Sequence, residues 1–134
     1  MIVVDSNILA YLYLPGPYAI AAERLLTDDP DWAAPLLWRS EFRNILAGYL
    51  RRGLLTIEQA IALQTEAESL LAGAEYAVDS AAVLQLVATS DCSAYDCEFI
   101  ALAMQLQTRL VTMDGKLLKS FAQTTQALPK ATAT

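Results

Sequence analysis

The sequence predicts an α/β layer fold with a largely parallel sheet. Short, mainly apolar runs at 1–4, 32–34, 75–78 and 109–113 have the length of buried strands, and the first of them is rich in β-branched residues. Longer segments with helical periodicity separate them, and strands that alternate with helices are joined by crossovers and run parallel. In open sheets of this kind ligands bind at the carboxyl ends of the strands. We therefore expect functional side chains at that edge.

Cap and turn residues separate the predicted helices, which cover residues 7–14, 18–26, 35–52, 57–71, 80–89, 94–107 and 115–121. Pro35 suits the first turn of the third helix, because a proline there has no intrahelical hydrogen bond to lose. Thr56 and Gln59 form a capping-box pattern before the fourth. The sixth helix, capped by Ser93, is apolar on nearly every side and should be deeply buried. Residues 123–128 are either a fifth strand or an extended end.

The composition fits one cytoplasmic domain. Of 134 residues, 55% are hydrophobic, which is enough to form a buried core without disulfides or a structural metal. We expect this domain over residues 1–128 and a loose tail over residues 129–134. No apolar run approaches the roughly 20 residues that span a bilayer, and the N-terminus lacks the pattern of a signal peptide. Two cysteines indicate a reducing compartment rather than a disulfide framework.

The absence of histidine excludes several kinds of catalysis. Ser-His-Asp and Cys-His mechanisms are impossible, and so is a histidine base in RNA cleavage. Two cysteines without histidine also disfavour a zinc site. Any hydrolysis must use carboxylates, lysines, hydroxyls or a metal. The net charge of −6 disfavours non-specific binding of nucleic acid.

Two aspartates follow predicted strands. Asp5 comes after the first strand and Asp114 after the fourth, so both belong to the edge where such sheets bind ligands. Each also has a purely structural interpretation. Asp5 can cap the helix that follows, and Asp114 can form a turn with Gly115.

Glu41 shares the apolar face of the third helix, three or four residues from Leu37 and Ile45. A carboxylate on such a face is usually paired or bound to a metal. The structural alternative is an ion pair with Arg39 or Arg43.

Asp96 lies in the first turn of the buried sixth helix. With Ser93 it resembles a capping box, which is its structural interpretation. It also borders a packed face, and a helix that returns over a parallel sheet begins near the carboxyl edge of the strands. Glu98 lies about 200° further round the helix, so it is either an additional acid or a surface residue.

Four carboxylates that converge would repel one another unless some were protonated or a cation lay between them. All-oxygen ligation suits Mg²⁺ or Mn²⁺. Such an ion lowers the pKa of a bound water and neutralises charge that builds up on a phosphoryl group.

Four segments, at residues 3–9, 40–46, 95–103 and 110–118, carry a family resemblance. In their order and spacing the sequence resembles PIN domains, particularly the VapC-type toxins of bacterial toxin–antitoxin pairs. The resemblance implies a three-layer α/β/α sandwich around a central, mostly parallel sheet of four or five strands. It also implies a Mg²⁺- or Mn²⁺-dependent endoribonuclease, frequent dimerisation, and an antitoxin partner that often inserts a basic side chain among the acids.

The resemblance also assigns roles to residues. The catalytic and metal-binding acids correspond to Asp5, Glu41, Asp96 and Asp114. Hydroxyl or amide groups that orient them correspond to Ser6, Asn7 and Thr112, which can equally serve turns and caps.

Contacts to RNA are a further expectation. Arg39, Arg43 and Lys116 flank the acids and can contact phosphates, as can Arg51 and Arg52 further along the third helix. For any single one of them, ordinary solvated charge is the favoured interpretation. Aromatic residues can stack on bases, although core packing is their default: Tyr11, Tyr13, Trp32 and Trp38.

Three other functions remain open. A PIN-like nuclease can act in RNA processing outside a toxin pair. The chain can also be a catalytically silent, dimeric interaction module. A phosphatase with Asp5 as nucleophile is a distant third, because such enzymes need a second aspartate where Asn7 stands.

Overall fold

The computed structural model describes residues 1–130, which form five strands and seven helices. Strands β1 to β5 are Ile2–Val4, Trp32–Pro35, Glu75–Tyr76, Leu110–Val111 and Thr125–Gln126. Helices α1 to α7 are Ser6–Tyr13, Ala19–Asp28, Trp38–Arg51, Ile57–Leu70, Ser80–Ala88, Ala94–Gln105 and Gly115–Ser120. All strand pairs are parallel, in the order β3-β2-β1-β4-β5. The predicted α/β/α sandwich is confirmed, and the uncertain fifth strand forms.

The centre of the sheet is also the centre of the core. In β1, Val3 and Val4 are fully buried, and Val3 pairs with Ala33 on one side and Leu110 on the other. Helix α6 packs across β1, β2 and β4. As predicted it is deeply buried, and its apolar residues from Phe99 onward fill the space above the sheet. The strand ends that carry Asp5 and Asp114 are therefore held by the best-packed part of the molecule.

The third helix begins later than predicted. Pro35 is the last residue of β2, where it pairs with Tyr76, and α3 begins at Trp38. A proline at the end of a strand removes no ladder hydrogen bond from the sheet interior. The ladder continues instead through the Leu36 N–H, which donates to the Tyr76 carbonyl at 3.0 Å.

Helix ends otherwise follow their sequence signals. The capping box between Thr56 and Gln59 is complete, with hydrogen bonds of 2.9 and 3.2 Å. Helix α6 ends two residues earlier than predicted, because Gln107 adopts a φ of 55°. The Thr108 N–H then donates to the Ala103 carbonyl at 2.9 Å, which is a Schellman closure of the helix.

An ionic cluster ties α3 and α4 to β3. Arg39 binds Glu75 at 2.6 and 2.7 Å and Glu68 at 3.0 Å, while the Trp38 indole N–H also donates to Glu75 at 2.8 Å. The suggested ion pair between Arg39 and Glu41 is therefore wrong. Arg39 binds Glu75 instead, because β3 places this largely buried carboxylate within hydrogen-bond distance of the guanidinium.

Three further expectations concern the cysteines, a membrane-spanning helix and the C-terminal tail. Cys92 and Cys97 are both free and buried, which agrees with the expected absence of a disulfide framework. Within residues 1–130, no helix combines the length and hydrophobicity needed to cross a bilayer. Of the predicted tail, residues 131–134 lie outside the described residues, and the domain boundary at residue 128 stays a prediction.

Glu75→Gln should lower the free energy of unfolding at pH 7 by about 2 kcal/mol, because charge-assisted hydrogen bonds are lost. Hydrogen bonding from Arg39 holds the pKa of Glu75 below its usual range. The stabilisation is thus complete above the usual glutamate pKa and lost as the pH falls through the lowered value. Urea denaturation measures this difference, which should shrink in acid.

Glu66→Gln on the exposed face of α4 is the matched control and should change the free energy of unfolding by no more than about 0.5 kcal/mol. Equal effects from both substitutions would show that the cluster around Arg39 contributes no more than ordinary surface charge.

Candidate active site

The carboxyl ends of β1 and β4 open into a cavity of about 390 Å³. Its lining includes all four predicted acids: Asp5, Glu41, Asp96 and Asp114. They come from two strand ends and from the first turns of α3 and α6. The fold thus brings together residues that lie up to 109 positions apart, as the parallel topology requires.

Asp5 is held by a buried hydroxyl. It occupies the N-cap position of α1, but its side chain makes no capping hydrogen bond. Instead its Oδ2 accepts a hydrogen bond of 2.7 Å from Thr112 Oγ1. Thr112 is fully buried, and the same hydroxyl accepts the Asp114 N–H at 3.0 Å. One threonine therefore fixes the ends of β1 and β4 relative to each other.

Burial raises the pKa of Asp5. The hydrogen bond from Thr112 opposes the increase, as do the nearby amides of Asn7 and Ser6, and the charge of Asp114 adds to it. Because the pKa stays raised despite these opposing effects, burial is the dominant influence on this carboxylate.

Glu41 is half-buried and faces the same cavity. Ser6 Oγ donates to its Oε1 at 2.8 Å, so the residue after Asp5 orients the acid on α3. Burial raises the pKa of Glu41, the Ser6 hydrogen bond opposes this, and the charges of Asp5 and Asp96 raise it further. The charge of Glu98 also raises the pKa of Glu41, so three other acids act on this carboxylate.

The structural interpretation of Asp96 is only half fulfilled. Its N–H donates to Ser93 Oγ at 3.0 Å, but among the described residues its carboxylate forms no reciprocal bond to the Ser93 amide. Burial raises its pKa, and the charges of Asp114 and Asp5 raise it further, against opposing effects of Ser93 and Lys116. The side chain thus remains available to the cavity.

Asp114 caps a helix instead of forming only the expected turn with Gly115. Its Oδ1 accepts the Leu117 N–H at 3.1 Å and caps α7. The same residue lines the cavity. Because the cap fixes Oδ1, it also fixes the orientation of the second carboxylate oxygen.

The remaining predicted residues are distributed unevenly. Asn7 lines the cavity, whereas Glu98 lines a separate pocket with Leu36 and Tyr76. Lys116 donates to the Asp91 carbonyl at 3.3 Å, and its charge reaches Asp96. Arg43 folds back on its own helix, onto the Arg39 carbonyl.

Several lining residues were not predicted. Ser40, Asn44 and Tyr95 belong to the cavity wall. Asn44 lies three residues after Glu41, one helical turn away, so helical spacing alone would have found it. Tyr95 precedes Asp96 and stays 64% exposed, and an exposed aromatic beside an acid carries no distinctive sequence signal.

The donors that line the cavity have the chemistry that Mg²⁺ or Mn²⁺ prefers. They are carboxylate, hydroxyl and amide oxygens, all hard ligands. Within residues 1–130, no three His, Cys, Asp or Glu side chains are arranged as an assembled metal cluster. The oxygen donors are therefore present around one cavity without being drawn together at ligand distances.

Comparisons with known proteins match most of the chain. The family model described as PIN domain matches residues 2–122. Ribonuclease VapC3 of Pyrobaculum aerophilum is 28% identical over 123 residues, which cover 90% of this chain and 94% of that protein.

Two solved structures are similar at 20% identity. FitAcB from Neisseria gonorrhoeae has a TM-score of 0.72, with 96% of this chain and 97% of that chain covered. FitAB bound to an IR36 DNA fragment has a TM-score of 0.73, with 95% and 94% covered. At this level of identity the structures establish the likeness of fold.

Asp5→Asn should stabilise the metal-free protein at pH 7.5 by roughly 1 kcal/mol, or about 3 °C in Tm. The substitution removes a charge that burial disfavours, and its amide oxygen can still accept from Thr112. Because the pKa of Asp5 is raised in the folded state, the wild type gains stability as the pH falls towards that pKa. The difference in free energy of unfolding between variant and wild type therefore becomes smaller at lower pH. Thermal melts in EDTA across this pH range measure it.

Asp91→Asn, the same change at an exposed aspartate, is the control and should leave Tm unchanged. A destabilised Asp5→Asn protein at neutral pH would show that Asp5 is a stabilising partner of Thr112 rather than a strained functional group.

Proposed function

Because the chain belongs to the PIN domain family, we propose that it is a divalent-metal-dependent endoribonuclease and the toxin of a toxin–antitoxin pair. The observation that carries the proposal is the set of four carboxylates around one cavity, in a protein without histidine. The likeness to a relative named as a ribonuclease supports the choice of RNA as substrate.

Four side chains would hold the ion: Asp5, Glu41, Asp96 and Asp114. When bound there, Mg²⁺ or Mn²⁺ supplies an acidified water and neutralises charge on the phosphoryl group. Thr112 and Ser6 keep Asp5 and Glu41 pointed at the cavity through their hydrogen bonds. Asn7 adds an amide that can orient the substrate or a water.

The reaction class follows from the residues that the chain has. Without histidine there is no imidazole to activate the ribose 2′-hydroxyl. In the proposed reaction a water attacks the phosphorus and gives up a proton, the bond to the 3′-oxygen breaks, and that oxygen takes up a proton. The products carry 5′-phosphate and 3′-hydroxyl ends.

An acidic protein must hold RNA with few positive charges. Arg43 and Lys116 lie near the acids and remain exposed, so we propose them as phosphate contacts. Arg39 leaves this set, because its guanidinium is bound to Glu68 and Glu75. Weak capture by charge suits an enzyme that cuts RNA at a few sites chosen by shape.

The proposal includes the partners and location that toxins of this family have. A cognate antitoxin would cover the carboxylates, and a basic side chain from it would neutralise them. We further propose a homodimer in the cytoplasm, where the two free thiols stay reduced.

Asp5→Asn and Asp96→Asn should each reduce cleavage of single-stranded RNA at least a hundredfold while the fold stays intact. Each removes a charge from the group of ligands and leaves the side-chain volume unchanged. Gel analysis with Mn²⁺ measures the loss, and end-labelling identifies the 5′-phosphate and 3′-hydroxyl termini.

Asp91→Asn should cut at the wild-type rate, and EDTA should stop the wild type. Cleavage that persists in EDTA, or in both cavity variants, would contradict the metal-dependent mechanism.

Mn²⁺ should raise the Tm of the wild type, because a ligand that binds only the folded state stabilises it. At a hundredfold excess over Kd the increase in free energy of unfolding is about 2.7 kcal/mol. Thermal melts with and without Mn²⁺ measure it. Asp91→Asn should keep the shift and Asp5→Asn should lose it, and a wild-type Tm that Mn²⁺ leaves unmoved would rule out the metal site.

A further inference from the structure

A second groove, of about 270 Å³, lies beside the active-site cavity and is lined by residues of α1. Asn7 and Ile45 line both spaces, so the two are adjacent. We call the second one the tyrosine groove, after the three tyrosines in its wall: Tyr11, Tyr18 and Tyr49. None of these residues takes part in the chemistry described above.

The tyrosine rings form an aromatic surface that keeps accessible faces. Tyr11 and Tyr18 lie with ring centroids 4.9 Å apart at an interplanar angle of 49°, and Tyr18 is 41% exposed. The Arg52 guanidinium lies over the Tyr49 ring, 4.7 Å from its centroid. Aromatic rings and a guanidinium plane are the groups on which nucleobases stack.

The groove is bounded by a restricted turn and lies close to the acids. Pro15 and Pro17 fix the backbone between α1 and α2 and line the groove. Burial and the neighbouring Tyr18 raise the pKa of Tyr11, and the charge of Asp5 adds to this, which places the phenol within the field of the active site.

We propose that the tyrosine groove binds a nucleobase of the RNA strand, from a nucleotide that flanks the phosphodiester held at the carboxylates. The inference rests on the proposed ribonuclease function and adds a binding subsite to it. The base stacks on the rings of Tyr18 and Tyr49, and Arg52 reaches the adjacent phosphate. The shared wall at Asn7 allows one strand to lie in both spaces.

This subsite answers the charge problem of the active site. The protein has a net charge of −6, and its acids repel phosphate. Stacking does not require a positive net charge, because the base and the phenol ring are both uncharged, and any base can stack because every base presents an aromatic face. An RNA base also has a polar edge, which suits the phenol hydroxyls and the guanidinium better than a purely apolar protein side chain does.

The test measures RNA binding without cleavage. A single-stranded octanucleotide of adenosines carries one 2-aminopurine at successive positions, and Ca²⁺ replaces Mn²⁺. Titration with wild type gives Kd, and quenching of 2-aminopurine identifies the stacked position. Tyr18→Leu and Tyr49→Leu should each raise Kd about tenfold and abolish the quenching, whereas Tyr18→Phe and Tyr49→Phe should behave as wild type.

The controls separate stacking from damage to the fold. Tyr76→Leu, in the pocket that holds Glu98, should bind as wild type. An abasic site at the quenched position should weaken wild-type binding about tenfold and weaken Tyr18→Leu no further, because both changes remove the same contact.

Wild-type affinity in both leucine variants, without quenching at any position, would overturn the subsite. If those variants instead lost binding to a protein partner, the groove would be a protein-docking site and the proposal would be wrong. Intact Mn²⁺-dependent cleavage would then leave the nuclease function standing. A wild type that neither binds nor cuts RNA would remove the proposed function as well.

Discussion

The hydroxyl of Thr112 holds the candidate active site together. It donates to the Asp5 carboxylate and accepts the Asp114 N–H, so it joins the ends of two neighbouring strands. The bond is protected by the fully buried centre of the sheet, where water does not compete for its donor and acceptor. From this fixed pair, Ser6 extends the arrangement to Glu41 on α3.

The site is costly for the fold, and the rest of the molecule compensates for that cost. Asp5, Glu41 and Asp96 all have raised pKa values, primarily because burial disfavours their charged forms. Grouping such carboxylates stabilises nothing by itself and is typical of functional sites. The compensation comes from an uninterrupted apolar sheet and from α6, which packs over it. The unfavourable burial of charge is thus confined to a few carboxylates at the carboxyl edge of the sheet.

Local patterns predicted the acids well and the arginine badly. Asp5 and Asp114 were found because a buried strand that ends in an acid is visible in the sequence itself, and parallel topology then brings strand ends together. Arg39 was assigned to Glu41 or RNA because its partner, Glu75, lies 36 residues away on a strand whose position the sequence does not reveal. Pro35 similarly suited the first turn of a helix, whereas pairing with β3 makes it the last residue of β2.

The sequence by itself determined the order of strands and helices, the acids at their ends, and the exclusion of histidine chemistry, because these depend on periodicity, caps and composition. Only the tertiary structure decided which oxygens face one cavity, that Glu98 belongs to another pocket, and that Tyr11, Tyr18 and Tyr49 line a groove beside the acids. Which side chains of different elements become neighbours depends on how whole helices pack on the sheet. No local sequence pattern encodes the distances between such side chains.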